Sequence, residues 1–348
     1  MCQLLGMNCN TPTDIVFSFE GFRLRGGLTD HHADGFGIGF FEGRGVRLFH
    51  DDKPSAHSPV ADLVRAYQIK SENVIAHIRK ATQGQTSLAN THPFMRELWG
   101  EYWLFAHNGH LKHFYPAPGD YYCPVGNTDS ERAFCHILEQ LRQRFRHKPD
   151  NDTLFAAVAA LTAEIRSHGL FNFMMSNGDF LFAHASTLLY YIVRKAPFGQ
   201  AKLLDDDVAI DFAAVTTPND KVAVIATLPL TVNETWQQLA VNELVMFEGG
   251  DIVRHDVEQK TVSFRHFRLF GFAATEEALR QRIADTVLEG LVIAALREIN
   301  ASRREDVKKL FADAGLGHND LNRTTAVLHA IAGSKAIRSD LTPVWTMP

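Results

Sequence analysis

The chain has 348 residues, of which 45% are hydrophobic and 22% charged, the balance of a soluble globular protein and not of a disordered or fibrous one. A formal net charge of −5, with no long run of Lys or Arg, excludes the basic footprint of a nucleic-acid-binding protein. Four cysteines spread over this length form neither a disulfide framework nor a C-x-x-C knuckle, and no apolar run is long enough to span a bilayer.

The N-terminus, Met-Cys-Gln-Leu-Leu-Gly-Met, lacks the basic n-region of a secretory signal. A cytoplasmic location is therefore expected, and a free thiol survives in that reducing compartment. In chain order, β-rich runs stand at residues 35–41, 73–79, 102–107, 171–176, 188–193 and 222–227. Several are apolar on both faces, as strands covered by other layers are. Between them Thr128-Asp-Ser-Glu131 is a capping-box pattern followed by Phe134, Ile137, Leu138, Leu141 and Phe145 on one face, which predicts a helix. An Ala-rich helix is predicted over 152–168, closed by Gly169. From Thr275 the spacing turns helical, through Leu279, Ile283, Val287, Leu291, Leu296 and Ile299. A second capping box, Ser302-Arg-Arg-Glu305, opens a helix ending near Gly315, and another helical stretch covers roughly 319–332. The expected division is a mixed domain over 2–256 and a mostly helical extension over 257–348.

The chemistry starts at Cys2. Cysteine is small enough for the preceding Met to be removed, and the product carries a thiol and a free α-amine on one residue. That amine, with an ordinary pKa of about 8, can take the thiol proton through a water and act as general base. Arg79 stands at the end of an apolar strand, where its planar fork suits a substrate carboxylate or, equally, a surface ion pair. His107-Asn108-Gly109 ends another strand and offers an amide donor beside an approachable backbone N–H, the parts of an oxyanion hole; Asn-Gly is also a hairpin turn signal. Thr128 suits the helix N-cap, and Asp129 in the first turn either complements the helix dipole or binds a substrate α-ammonium.

Taken in order, these pieces resemble the class II glutamine amidotransferases, in the stand-alone YafJ-like branch. The pieces are Met1-Cys2, Arg25-Gly26-Gly27, Asp34-Gly-Phe-Gly37, His77-Ile-Arg79-Lys-Ala-Thr82, Asn90-Thr-His92-Pro-Phe94, Ala106-His-Asn108-Gly109 and Thr128-Asp129-Ser-Glu131. The resemblance covers roughly residues 2–256. It implies an α+β fold of the N-terminal nucleophile hydrolases, a four-layer αββα sandwich. It implies Cys2 as nucleophile, with Asn108 and the Gly109 N–H as oxyanion hole. Arg79, with Thr82 near it, would bind the α-carboxylate and Asp129 the α-ammonium, while His92, Arg25 and Asp34 would shape the site. Better-known members have an aromatic residue where this chain has Lys80, and they continue into a synthase domain for which residues 257–348 are too few.

The activity this implies is hydrolysis of a γ-glutamyl amide, glutamine to glutamate and ammonia, without cofactor. A separately encoded ammonia acceptor or synthase is a conceivable partner; nucleic acid and membrane are not. The alternatives are a hydrolase of larger γ-glutamyl compounds or peptides, and a non-catalytic scaffold that binds a partner through its helical tail. No metal is expected: His107, His110 and His113, and His31-His32 near Asp34, fit no common ligand spacing. Gly35-Phe-Gly37-Ile-Gly39 lacks the helix start of a nucleotide loop. Cys123 and Cys135 read as packed thiols.

Overall fold

The structure, a computed structural model, describes residues 2–80 and 86–257. Thr82 and the helices expected beyond Thr275 lie outside the described residues. The first half runs β1 (Gln3–Thr13), α1 (Val16–Leu24), β2 (Phe36–Glu42), β3 (Gly45–Asp51), α2 (Pro59–Tyr67), β4 (Ser71–Ile78), β5 (Phe94–Leu98) and β6 (Glu101–Leu111). Two long helices follow, α3 (Asp129–Arg144) and α4 (Asn151–Arg166), then β7 (Gly169–Ser176), β8 (Leu181–Ala185) and β9 (Tyr190–Lys195). The remainder is β10 (Gln200–Lys202), β11 (Ala209–Asp211), β12 (Lys221–Ala226), β13 (Gln237–Gln238), β14 (Glu243–Glu248) and β15 (Asp251–Val257).

Two antiparallel sheets dominate, a seven-stranded one in the order β13-β9-β12-β1-β4-β2-β3 and a six-stranded one in the order β15-β14-β8-β7-β6-β5. The period of two along each strand sorts its side chains into separate cores. On β1, Leu5, Met7 and Cys9 pack with Phe19 and Phe22 of α1 and with Ala61 and Val64 of α2. Leu4, pointing the other way, packs with Leu104 and Ala106 of β6 and with Met174 of β7. On β6, Trp103 and Phe105 turn instead to Phe134 and Leu138 of α3 and Leu161 of α4. Helices, sheet, sheet and helices thus stack in four layers, the αββα sandwich. Every large β-rich run expected from the sequence is a strand, within a few residues at each end.

The glycine-rich run is a strand and not a loop. Gly37 and Gly39 of β2 face the second sheet, and a Cβ on Gly37 would stand 2.2 Å from the His92 carbonyl oxygen. Only a residue without a side chain lets that backbone approach so closely.

The helices depart from expectation in detail. Thr128 caps α3 by accepting the Glu131 N–H at 3.1 Å. The reciprocal half of the capping box is missing, because the Glu131 carboxylate accepts from the Val125 and Gly126 N–H groups and pairs with Arg96. α4 is capped by Asp150, which accepts the Thr153 N–H at 2.9 Å. Gly169 does not cap that helix; it opens β7 with φ 151° against the His110 carbonyl oxygen. Of the two thiols read as packed, Cys135 is buried but Cys123 is exposed. The reason is local: Cys123 lies in the Pro-containing connection from β6 to α3, which also leaves Tyr121 and Val125 in solvent.

Far along β1 from Cys2, buried amides join the sheets. Asn8 donates to Asn73 at 3.0 Å and accepts the Gly250 N–H at 2.8 Å, and Asn73 donates to the Gly178 carbonyl. Both glycines lie in turns of the second sheet.

Candidate active site

Strand parity decides which side chains can meet at the opposite end of the sandwich. Cys2 precedes β1 on the parity of Leu4, Arg79 follows β4 on the parity of Ile75, and Asn108 on β6 shares the parity of Leu104 and Ala106. All of these face the space between the sheets. The register pairs Leu4 with His77 and Gln3 with Ile78, which carries Cys2 to the end of β4.

Two residues pin Cys2, Lys80 just past β4 and Asn108 on β6. The Lys80 N–H donates to Cys2 Sγ at 3.2 Å, and the Lys80 carbonyl lies 3.4 Å from the same sulfur. From the second sheet, Asn108 Nδ2 donates to the Cys2 carbonyl at 2.6 Å. Burial pushes the Cys2 thiol pKa up; the Lys80 N–H, the positive chain terminus and Arg79 pull it back, while Asp34 adds to the rise. The thiol is therefore held protonated at neutral pH and needs a base.

Asn108 is itself held from behind. Asn172, opposite it on β7, donates to the Asn108 carbonyl at 2.8 Å and accepts the Ser186 and Thr187 N–H groups at 2.9 Å. Since one Nδ2 hydrogen goes to Cys2, the second remains for another acceptor. The direction of the Gly109 N–H follows from the ladder. Lys112 donates to the His168 carbonyl on the β7 side, whereas Leu111 donates to Asp129 Oδ2 at 2.7 Å on the other. Gly109, two residues before Leu111, points the same way as Leu111, past Phe94, where the pairing with β5 stops.

Asp129 sits in the first turn of α3, where the helix dipole favours its charge. Its Oδ1 accepts the Ser130 N–H at 2.9 Å, and His110 Nδ1 stands 3.8 Å from Oδ2. Ser130 Oγ and the Leu170 carbonyl hold the two nitrogens of His107 at 2.8 and 3.0 Å, so that ring has no nitrogen left for a metal. Among the described residues no group of three or more His, Cys, Asp or Glu could hold one.

Arg79 is buried, with its backbone strapped to the segment before β2: its N–H donates to the Gly35 carbonyl at 2.8 Å and its carbonyl accepts the Asp34 N–H at 3.2 Å. Its charge bears on Cys2, His77 and His92. The His92 ring packs, tilted, against His77 at 4.2 Å and Phe94 at 4.4 Å, a buried cluster beside Arg79. Arg25 binds Asp205 at 2.8 Å and the carbonyls of Leu228 and Pro229, next to Thr227, which bonds both backbone groups of Leu4.

Burial holds His77 down to about 3 and His92 well below the ordinary imidazole value, and it lowers His107 and His50 as well. These rings are neutral in the folded protein, whereas in the unfolded chain they take up protons below about pH 6.5. The stability they confer is complete above that pH and is lost as pH falls from about 6.5 toward 3. Thermal unfolding temperature is accordingly expected to drop between pH 6.5 and 5, above the carboxylate range; a flat profile over that interval would contradict a neutral histidine cluster.

Sequence reasoning assigns no role to Asn172 or Ser130, and none to the peptide group of Lys80. Lys80 acts through its peptide group, which no side-chain pattern reveals. Asn172 left a faint signal as the one amide inside the apolar run 171–176.

Comparison with known proteins adds an independent line. A family model described as glutamine amidotransferases class-II matches residues 1–267. A Haemophilus influenzae protein is 56% identical over 251 residues, 72% of this chain and 85% of its own length. The Escherichia coli protein YafJ is 52% identical over 254 residues, 73% of this chain and 100% of its own length. Both names assign those proteins to the glutamine amidotransferases provisionally. The 2.0 Å crystal structure of a predicted glutamine amidotransferase from Pseudomonas aeruginosa superposes with a TM-score of 0.59 at 47% identity, covering 73% of this chain and 100% of that one.

Proposed function

Since this chain belongs to the class II glutamine amidotransferases, we propose that it hydrolyses a γ-glutamyl amide bond through a thioester on Cys2, with glutamine as the simplest substrate. The observation that carries this reading is the double grip on Cys2: the Lys80 N–H on its sulfur and Asn108 on its carbonyl.

Removal of Met1 leaves the α-amine of Cys2 beside its own thiol. The free amine takes the thiol proton through a water, and the thiolate attacks the side-chain carbonyl of the substrate. The second Asn108 amide hydrogen and the Gly109 N–H stabilise the oxyanion, while Arg79 and Asp129 bind the carboxylate and ammonium of the head group. Collapse breaks the C–N bond, and the Cys2 ammonium protonates the departing ammonia. Water then adds to the thioester with the amine again as base, and glutamate leaves as the C–S bond breaks.

The test is intact mass of the full chain before and after a glutamine-derived electrophile that alkylates active-site thiols. The expected product lacks Met1 and carries one adduct, mapped to Cys2. Exposed Cys123 is the internal control, since an unselective reagent labels it as well. Because burial keeps the thiol protonated, the labelling rate is expected to rise with pH through the amine pKa of about 8. Retained Met1 with no Cys2 adduct would defeat the proposal.

A further inference from the structure

Building on the proposed γ-glutamyl hydrolysis, we infer that Asn90 is a positioning residue that holds Asp129 at a fixed span from Arg79. The two charges of an α-amino-acid head group are thereby bound together. Arg79 follows β4 of the seven-stranded sheet, whereas Asp129 opens α3, which packs on the six-stranded sheet. Their spacing depends on what joins the end of β4 to the start of α3.

The segment 90–92 makes that join. At one end the His92 ring packs against His77 at 4.2 Å, and His77 stands on β4 two residues before Arg79. At the other end Asn90 grips Asn127, two residues before Asp129. Asn90 Oδ1 accepts the Asn127 N–H at 3.0 Å, and Asn90 Nδ2 donates to Asn127 Oδ1 at 2.9 Å. A carboxamide, with donor and acceptor side by side, suits this pairing of a backbone N–H with a side-chain oxygen. The segment is itself tied down: the Asn90 N–H and Thr91 Oγ1 both donate to the Ser87 carbonyl, at 3.0 and 2.9 Å, and Asn90, Thr91 and His92 are all buried.

The approach is close. A Cβ on Gly126 would stand 2.2 Å from Asn90 Oδ1 and 2.7 Å from the Ala89 carbonyl oxygen, so this turn needs glycine to reach Asn90. Other groups of the turn are satisfied from α3 itself. Glu131 accepts the Val125 and Gly126 N–H groups, and Arg132 donates to the Asn127 carbonyl at 3.1 Å. Arg96 reaches Glu131 from β5, and so ties α3 to its own sheet and not to β4. Those bonds shape the start of the helix without setting its place relative to Arg79. Asn90 supplies that reference from the segment packed on β4.

The experiment compares kcat/KM of the full chain for glutamine and for glutaramate, the same amide without the α-ammonium. Both keep the carboxylate for Arg79, so their ratio isolates the ammonium. Wild type is expected to favour glutamine about ten- to hundredfold, the range of a hydrogen bond to a charged group. Asp129→Asn sets the floor of this preference, since its amide oxygen can still accept the Leu111 N–H. Asn90→Ala should bring the ratio close to that floor, and combining it with Asp129→Asn should lower the ratio no further. Asn127→Ala keeps the backbone N–H for Asn90 and should lower the ratio in part; it decides by the same criterion if Asn90→Ala does not fold. A merely structural role would lower both constants alike and leave the ratio at its wild-type level. That result, or a wild-type ratio of one, overturns the inference while leaving the hydrolysis intact. Absence of turnover of both amides by folded wild-type protein overturns the proposed function itself.

Discussion

Cys2→Ala is expected to lower glutamine turnover by at least about 10⁴-fold, the scale on which removal of a nucleophile acts when the rest of a site is kept. Alanine is as small as cysteine, so Met1 is still removed and the α-amine is still formed. The backbone grip also survives, because Asn108 holds the Cys2 carbonyl and not its side chain. The loss then measures the thiol alone. Stability should change by no more than about 1 kcal/mol, since the side chain is only half-buried and belongs to none of the three apolar cores. Turnover near the wild-type level in this variant, measured as glutamate release, would end the assignment of Cys2 as nucleophile.

Arg79→Ala is expected to raise KM for glutamine by about 30-fold or more, the effect of deleting one member of a buried charge pair. Arg79→Lys should recover only part of it, because a point charge lacks the planar fork that meets a carboxylate with two parallel hydrogen bonds. The kcat should fall less than kcat/KM in both, since the head group is bound alike in ground and transition states. An unchanged KM in a folded Arg79→Ala protein would place the carboxylate elsewhere. Asp129 is the poorer probe: its carboxylate also accepts the Leu111 N–H, so substitution disturbs the strand that carries Asn108 and Gly109.

Much of this site is legible in the sequence because its parts end short apolar runs. Arg79 follows β4 and Asn108 lies in β6 at the end of its apolar run, though the strand itself continues past the expected Asn-Gly end to Leu111; both runs are buried on two faces, and Thr128-Asp129 opens a helix with a recognisable cap. β1 is less legible, although it follows directly on Cys2, the proposed nucleophile. Its residues Gly6, Asn8 and Thr11 break both the alternation and the apolar run that mark a strand, and Asn8 is tolerated only because Asn73 and Gly250 satisfy it from distant parts of the chain. α1 and α2 have nine residues each, too short for a periodic face to stand out. Glu131 shows the limit of local rules: the pattern promised a capping box, but Arg96 and the 125–126 backbone compete for the carboxylate and win. The exposure of Cys123 likewise depends on the path of a connection, which residue type does not specify.

The central place of β1 in its sheet has a consequence for the order of events during synthesis. The strand is the first to leave the ribosome, yet it lies between β4 and β12, and the second of these partners is not made until residues 221–226. One edge of the strand that carries Cys2 therefore stays open while more than half of the chain is still to be translated. Closing a loop of that length is slow compared with local helix formation. The removal of Met1 that the proposed mechanism requires thus has its widest opportunity on the nascent chain, before Thr227 closes on Leu4.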